Sequence, residues 1–241
     1  MISWGWLKNI IGTGKSGVKV LPKPDTPSNE ESVMVEKKIE PLDLAKVNFR
    51  ASPNKSRRKG AVEYIVLHHT GAGSMAGIVN WLCNPQAKAS AHYVVGTDGN
   101  LTQLVNSKWE SWHCGIAKWN GEQINNHKSI GIEICNIGVM EKEDDGFYYS
   151  VGRDVKKYTS KTEPMEGKIV YSGGMVVSGY YVPYPEKQIE KIVALCKGLV
   201  KKYPAITREN ILTHYQVAQP EGRKNDPFGL DVEAIKDMIF D

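Results

Sequence analysis

Residues 61–72 read AVEYIVLHHTGA, and this stretch predicts both a fold element and a site. The segment EYIVLHH is rich in β-branched and large apolar residues, the composition of a buried strand. It ends in two consecutive histidines, His68 and His69, before Thr70 and Gly71 break the pattern. An imidazole is costly to bury without a partner. We therefore expect these rings to be hydrogen-bonded within the fold or to bind something.

The segments around this strand predict an α/β protein with one core, a central mixed β-sheet flanked by helices. Apolar spacing, capping residues and turn residues indicate the remaining elements. In chain order these are a helix in SMAGIVNWLCNP (74–85), a hairpin around Asp98-Gly99, a buried strand in SIGIEICNIG (129–138), a helix from Pro185 to before Pro204, a strand in NILTH and a closing helix in VEAIKDMIF.

Two parts of the chain are expected, an N-terminal arm and linker over residues 1–43 and a compact domain over residues 44–241. Residues 20–60 are rich in Pro, Lys, Glu and Ser without an apolar period, which is typical of a linker and a surface segment. Residues 138–184 also lack a clean period. They predict an insertion, a loop followed by an extended arm, close to whatever the domain binds.

Composition excludes several classes of protein. The net charge of +4 comes without a dense Lys/Arg block, so a nucleic-acid partner is not expected. A mildly basic protein can still be attracted to anionic polymers such as bacterial cell wall. The chain contains no CxxC pair, which argues against a zinc ribbon and a dense disulfide framework. We expect reduced and mostly buried thiols at Cys83, Cys114, Cys135 and Cys196.

The N-terminus predicts no signal peptide and no membrane span. No run approaches the roughly 18 apolar residues of a spanning helix. The first segment has no basic residue before its apolar part, and Lys8 and Asn9 interrupt that part. The arm could form a short amphipathic anchor for weak surface association, or simply pack or fray. The residues that would make the anchor are Trp4, Trp6, Leu7, Ile10 and Ile11.

A second histidine suggests a metal site. His214 ends a predicted strand as His68 does, and Asp226 comes twelve residues later in a loop turned by Pro220 and Gly222. Two imidazoles and one carboxylate, with a fourth position open, form the donor set of a catalytic zinc site. Taken alone, a histidine at a strand end is more often a hydrogen-bonded structural residue.

Five segments stand in a fixed order: YIVLHHTGAG, SAHYVVGTDGNLTQLV, WHCGIAKWNG, NNHKSIGIEICN and LTHYQVAQPEGRKNDP. In order and spacing they resemble the type-2 N-acetylmuramoyl-L-alanine amidases. That family includes phage lysins, cell-wall recycling amidases and peptidoglycan recognition proteins. The resemblance covers about residues 60–241, and SIGIE and RKNDP bring the chain nearest to the recycling and lysin branch.

The resemblance implies that Zn²⁺ is held by His68, His214 and Asp226, the last at a position where some relatives have cysteine. A carboxylate oxygen is an accepted zinc donor. Adjacent strand residues face opposite sides, so only one of His68 and His69 can easily face the metal. His69 is then packed beside the site or contacts substrate, with a role as the ligand kept as the alternative.

The resemblance also implies two catalytic residues. Glu133, in an otherwise apolar strand, matches the general base, and Lys224 matches a lysine that stabilises the oxyanion. Their structural alternatives are a salt-bridged strand residue and a surface lysine. Some relatives use a hairpin tyrosine as the base, but that position falls near Ala91 and His92, so Glu133 must serve. Candidate substrate-binding residues are His69, Trp112, His113 and Asn126, with Trp119 and Asn125 on the same loop.

The implied activity is zinc-dependent hydrolysis of the amide bond between N-acetylmuramic acid and L-alanine in bacterial peptidoglycan. We expect a monomeric phage endolysin, made in the host cytoplasm without a signal peptide and acting on the cell wall. The alternatives are a cytoplasmic amidase that recycles muropeptides and a recognition module that binds wall fragments without cutting them. The presence of all three ligands, the acid and the lysine favours an enzyme.

Overall fold

A computed structural model describes residues 38–151 and 155–241 of the chain. The described compact unit is Lys38–Asp241. Most of the predicted arm, including its proposed membrane anchor, lies outside the described residues. Ile39 and Leu42 pack against the core, and the Leu42 N–H donates to the Ala194 carbonyl at 2.8 Å. Packing therefore begins several residues before the predicted boundary at residue 44.

The main sheet is mixed, and its central strands are parallel. In order across the sheet its strands are β1 (Asn48–Phe49), β5 (Leu101–Gln103), β4 (Tyr93–Val95), β9 (Ser129–Ile134), β3 (Tyr64–His69) and β14 (Ile211–Thr213). Strand β4 is antiparallel to β5, whereas β4, β9, β3 and β14 run parallel to one another. The carboxyl ends of these four strands therefore lie at one edge of the sheet.

Helices lie on both faces of this sheet. They are α1 (Met75–Leu82), α2 (Asn125–Lys128), α3 (Glu186–Lys202), α4 (His214–Val217) and α5 (Val232–Phe240), with short 3-10 turns at Leu44–Lys46, Pro85–Ala87 and Arg208–Asn210. Ile65 and Leu67 of β3 and Ile132 of β9 pack with Ile192 of α3 and Ile235 of α5. Because side chains alternate along a strand, the residues between them point to the opposite face. That face packs against residues of α1 and α4, and it carries the polar groups described below.

The segment predicted as a loop and an extended arm, residues 138–184, instead contains a second sheet that the prediction lacked. Its antiparallel strands, in order, are β11 (Tyr148–Ser150), β10 (Met140–Lys142), β13 (Val176–Tyr181) and β12 (Met165–Val170). Most residues of β12 and β13 are exposed or half-buried. Because neither face is fully buried, the strands lack the apolar alternation that reveals a strand in a sequence.

The other predicted elements β3, β9, the β4–β5 hairpin, α1, α3 and α5 are confirmed. One detail differs, because β14 ends at Thr213 and His214 begins helix α4. Thr213 and Gln216 form a capping box, in which the Gln216 side chain accepts from the Thr213 N–H at 2.9 Å. Short ribbons that were not predicted pair β2 (Lys55–Arg57) with β6 (Trp109–Ser111) and β7 (Lys118–Trp119) with β8 (Glu122–Gln123).

The cysteines are free thiols, with Cys83 half-buried and the other three buried. Across the described ranges, no helix combines the length and the apolar composition that a membrane span requires.

Candidate active site

Parallel pairing brings the predicted site residues together at the carboxyl edge of the main sheet. In register, Thr213 of β14 pairs with Leu67 of β3, and His68 pairs with Glu133 of β9. His214 follows Thr213 directly. His68, Glu133 and His214 therefore lie next to one another at the ends of neighbouring strands. This is the edge where α/β sheets commonly bind their ligands.

Three side-chain atoms meet in a tight triangle. His68 Nδ1 lies 3.0 Å from His214 Nδ1, and Asp226 Oδ2 lies 3.2 Å and 2.9 Å from these two nitrogens. All three residues are buried. Hydrogen bonds cannot account for all three contacts at once. If both Nδ1 atoms carry a hydrogen and donate to Asp226, the contact between the two histidines has two donors and no acceptor. A single cation among the three atoms satisfies all of them.

The triangle fits a small tetrahedral metal ion. Bond lengths of about 2.0–2.1 Å to a central zinc would place its donors roughly 3.3 Å apart, close to the separations observed. His214 Nε2 lies 3.2 Å from the carbonyl of Cys114, to which it donates, so its Nδ1 keeps a lone pair for a metal. These three residues could therefore hold a metal ion.

Burial controls the charges of the triangle. Burial and the neighbouring His214 lower the pKa of His68 to about 4, so His68 is neutral at pH 7 and its lone pair is available. Burial alone would raise the pKa of Asp226, but hydrogen bonds with His214 and His68 hold it well below its usual range. At neutral pH the triangle therefore contains a neutral His68 imidazole and the Asp226 carboxylate.

Glu133 is a carboxylate without a hydrogen-bond partner on one oxygen. Among the described residues, its Oε2 is buried and accepts no hydrogen bond. Burial, with the negative charge of Asp226, raises the pKa of Glu133 to about 8, and the nearby Lys224 opposes the rise. A buried acid with a raised pKa beside a metal donor set is a candidate proton acceptor.

A cleft of about 580 Å³ opens over the triangle. Trp81 and Trp112 line it, and the second sheet contributes Val177. Lys224 and Arg223 bring positive charge from the loop that carries Asp226. The cleft thus joins a metal donor set, a buried acid and cations, within walls that combine aromatic and aliphatic side chains.

Three of the four predicted substrate-binding residues line the cleft. His69 and Trp112 line the cleft, the ring of His69 lies against Gly138, and Trp112 Nε1 donates to Ser56 Oγ at 2.8 Å. His113 also lines the cleft, but both of its ring nitrogens have partners inside the protein. Asn126 is not among the cleft residues.

The side chain of Asn126 shapes a loop. Its carboxamide oxygen accepts from the backbone N–H groups of His113 and Cys114 at 3.1 Å and 3.0 Å. His92 is fully buried and has partners on both ring nitrogens, as a structural residue does. Its Nε2 lies 3.1 Å from the Trp109 carbonyl, and its Nδ1 lies 2.7 Å from Ser111 Oγ.

One residue that organises the site was missed. The guanidinium of Arg58 donates to the backbone carbonyls of Ser107, Trp109, Asn126, His127 and Ser129. It ties together the segments on either side of the His113 loop. Arg58 lies in SRRKG, where the composition predicts a surface approach segment. Nothing in that composition distinguishes it from its neighbours, because its partners are backbone groups distant in sequence.

Comparison with known proteins places this arrangement in a family. A model described as N-acetylmuramoyl-L-alanine amidase matches residues 58–229. The amidase AmiD of Escherichia coli K12 is 28% identical over 204 residues, which cover 82% of this chain and 57% of that protein. The 1,6-anhydro-N-acetylmuramyl-L-alanine amidase AmpD of Enterobacter cloacae is 29% identical over 138 residues, or 57% and 50% of the two chains.

Amidase A of Achromobacter lyticus is 34% identical over 87 residues, covering 36% of this chain and 44% of that protein. The chain thus spans about half the length of these curated relatives. A crystal structure of an AmpD derivative has the same fold, with a TM-score of 0.55 at 20% identity over 81% of this chain and 96% of that one. Since the family model matches most of the chain, the protein belongs to the N-acetylmuramoyl-L-alanine amidase family.

Proposed function

We propose that the protein is a zinc-dependent hydrolase that cleaves the amide bond between N-acetylmuramic acid and L-alanine in peptidoglycan. The observation that carries this proposal is the buried triangle of His68, His214 and Asp226 beside Glu133, in a chain of this family. AmiD, with which the chain aligns over most of its length, is named for the same reaction.

The donor set supports zinc. Two imidazoles and one carboxylate are typical of catalytic zinc sites, which keep a further position for water or substrate. When bound there, zinc would lower the pKa of a water molecule toward about 7 and polarise the scissile carbonyl. The cleft above the triangle gives a substrate room to reach that position.

Glu133 is assigned as the general base and acid. Its carboxylate accepts a proton from the attacking water and returns it to the amine of L-alanine as the C–N bond breaks. The raised pKa of Glu133 in the free protein follows mainly from burial. A cation held by the triangle favours the ionised carboxylate, which is the form that accepts a proton.

Lys224 is assigned to the oxyanion. It lines the cleft from the same loop as Asp226. When water adds to the amide carbon, the carbonyl oxygen gains negative charge, and an ammonium group already in place stabilises that charge without reorganisation.

The biological setting is part of the proposal. We propose a lysin that acts on intact cell wall, in line with the family resemblance of its motifs. The name of AmpD favours a second candidate, an amidase for soluble anhydro-muropeptides. A binding module that does not cleave is the third candidate, and the complete set of ligands, acid and lysine speaks against it.

One experiment separates these candidates. The purified protein is given intact sacculi and, in parallel, soluble anhydro-muropeptides, each with and without a chelator. Release of stem peptides from sacculi that stops with chelator and returns with zinc supports the lysin. Activity confined to soluble fragments favours the second candidate, and binding without release of peptide contradicts an amidase.

A further inference from the structure

His113 occupies a space that a glycine leaves open. Its ring lies on β9 at Gly131, where an added Cβ would come within 2.4 Å of His113 Cγ. A glycine inside a strand weakens the strand and often marks a place where another group approaches closely. Here that group is an imidazole in contact with a proposed ligand, because His68 Nε2 lies 2.9 Å from His113 Nδ1.

A chain of hydrogen bonds sets the tautomer of this ring. The backbone carbonyl of Asn125 can only accept, so the Ser129 hydroxyl, 3.0 Å away, donates to it. The Ser129 oxygen is then free to accept from His113 Nε2 at 3.1 Å. His113 therefore carries its hydrogen on Nε2.

The donor and acceptor roles in this series of hydrogen bonds also fix the tautomer of His68. A neutral imidazole has one N–H, so His113 Nδ1 accepts, and the donor is the N–H on His68 Nε2. His68 is then left with a lone pair on Nδ1, the atom that faces His214 and Asp226. The Cys114 thiol also lies 3.0 Å from His113 Nδ1, but a thiol is a weaker donor than an imidazole N–H.

The neighbouring residue acts on the second ligand ring. The carbonyl of Cys114 accepts from His214 Nε2 at 3.2 Å. Two consecutive residues of one loop thus receive the outward N–H of both histidines. Asn126 holds this pair in place by accepting from both of their backbone N–H groups.

We propose that His113 is a positioning residue that fixes the tautomer and ring orientation of His68 for zinc, with Ser129 and the Asn125 carbonyl setting its direction. This inference rests on the proposed function. It replaces the direct substrate contact expected for His113 from the sequence, because neither ring nitrogen is free for a substrate.

Zinc affinity tests this role separately from turnover. His113→Leu removes the acceptor, whereas His113→Asn places a carboxamide oxygen near the position of Nδ1 and can still accept from His68. Loss of such an outer partner lowers metal affinity by about 10- to 100-fold. We expect that loss in the Leu variant, and zinc affinity within a few-fold of wild type in the Asn variant, by competition with a chromophoric chelator. His127→Leu, on the neighbouring helix α2, is the matched control.

Each variant is first checked by its circular dichroism spectrum and melting temperature in the metal-free form. A folded His113→Leu protein that binds zinc as tightly as wild type overturns the proposal, and so does a rise in KM with unchanged zinc affinity. If the Leu variant does not fold, Ser129→Ala decides, with a weaker zinc affinity expected and an unchanged one contradicting the role. Failure of the proposed function is seen separately, in wild-type protein that binds no zinc yet cleaves in chelator.

Discussion

At the scale of single residues, the proposed metal site depends on which of two adjacent histidines faces the other ligands. His68 and His69 are adjacent in sequence, but only His68 belongs to the triangle with His214 and Asp226. Alternation along β3 separates them, since successive side chains of a strand point to opposite faces. Substitution of one or the other therefore distinguishes a metal ligand from a packed neighbour.

We expect His68→Ala to lose zinc and His69→Ala to retain it. Removing His68 leaves only two protein donors, whereas removing His69 leaves all three. The measurement is the zinc content of each purified variant by elemental analysis after equilibration with the same free zinc. Equal zinc in both variants would show that the ligand set is assigned wrongly.

Glu133→Gln should separate catalysis from metal binding. The amide keeps the size of the side chain but cannot accept a proton from water, so kcat should fall by about a hundredfold or more while zinc remains bound. Turnover, zinc content and melting temperature are measured on the same sample. The matched control is Glu143→Gln, an exposed position in the connection between β10 and β11. A stable, zinc-loaded and fast Glu133→Gln enzyme would end the proposed mechanism.

His92 should make the fold sensitive to acid. Burial, together with the charge of Arg58, lowers the pKa of His92 to about 3. Below about pH 6.5 the unfolded chain binds a proton here that the folded protein does not. The free energy of unfolding should therefore fall as the pH drops from 6.5 toward 4, by at most about 1.4 kcal/mol per pH unit for this one group.

Urea unfolding of metal-free protein at pH 7.5, 6 and 5 tests this expectation. The stability of His92→Gln should depend less on pH than that of wild type, while His127→Gln should follow wild type. If His92→Gln does not fold, NMR titration of the wild-type imidazole replaces it. A His92 signal that titrates near pH 6.5 would contradict the expectation.

At the scale of elements, the second sheet holds the loop that carries Lys224 and Asp226. The hydroxyl of Tyr171, at the end of β12, donates to the Lys224 carbonyl at 2.5 Å. The Glu221 carboxylate accepts from Ser172 Oγ at 2.8 Å and from the Gly173 N–H at 3.0 Å. The turn between β12 and β13 is therefore hydrogen-bonded to the Asp226 loop at two places, Lys224 and Glu221.

Tyr171→Phe removes the hydrogen bond to the Lys224 carbonyl and should make the position of the loop less fixed. A displaced Lys224 would no longer sit where the oxyanion forms, and misplacement by about 1 Å can lower turnover by roughly a hundredfold. We expect kcat/KM to fall by at least about tenfold with little change in melting temperature. Tyr180→Phe is the matched control, because its hydroxyl bonds the exposed Glu166 in the same sheet at 3.1 Å. Equal activity of the two variants would show that this hydrogen bond does not matter.

The elements also show what a sequence can predict. Strands β3 and β9 could be predicted because both faces are buried, which demands continuous apolar runs. His68, Glu133 and His214 are noticeable as polar groups within or at the end of apolar runs, but their roles were proposed from the family resemblance of the surrounding motifs. The hydrogen bonds of Tyr171 and Arg58 could not be predicted, because they go to backbone carbonyls, which every residue has. The second sheet was missed because its strands are largely exposed.

At the scale of the whole molecule, the described unit from Lys38 onward carries every residue of the proposed mechanism. Deletion of residues 1–37 should therefore leave zinc binding and cleavage of soluble muropeptides unchanged. Deletion of residues 1–43 should lower the melting temperature, since it removes the apolar contacts of Ile39 and Leu42 with the core. The two truncations are compared with the full chain. An inert 1–37 deletion would place part of the N-terminal segment within the catalytic unit.

The pairing of β3 with β14 has a consequence for the order of folding. His68 and His214 are 146 positions apart in the chain, so the triangle exists only after the last strand has joined the sheet. Closing so long a loop is entropically unfavourable, which delays such contacts in folding. Zinc should then have little effect on the refolding rate and should instead slow unfolding, because it stabilises a contact that forms after the transition state. The metal would stabilise the native state kinetically, and its loss would shorten the lifetime of that state.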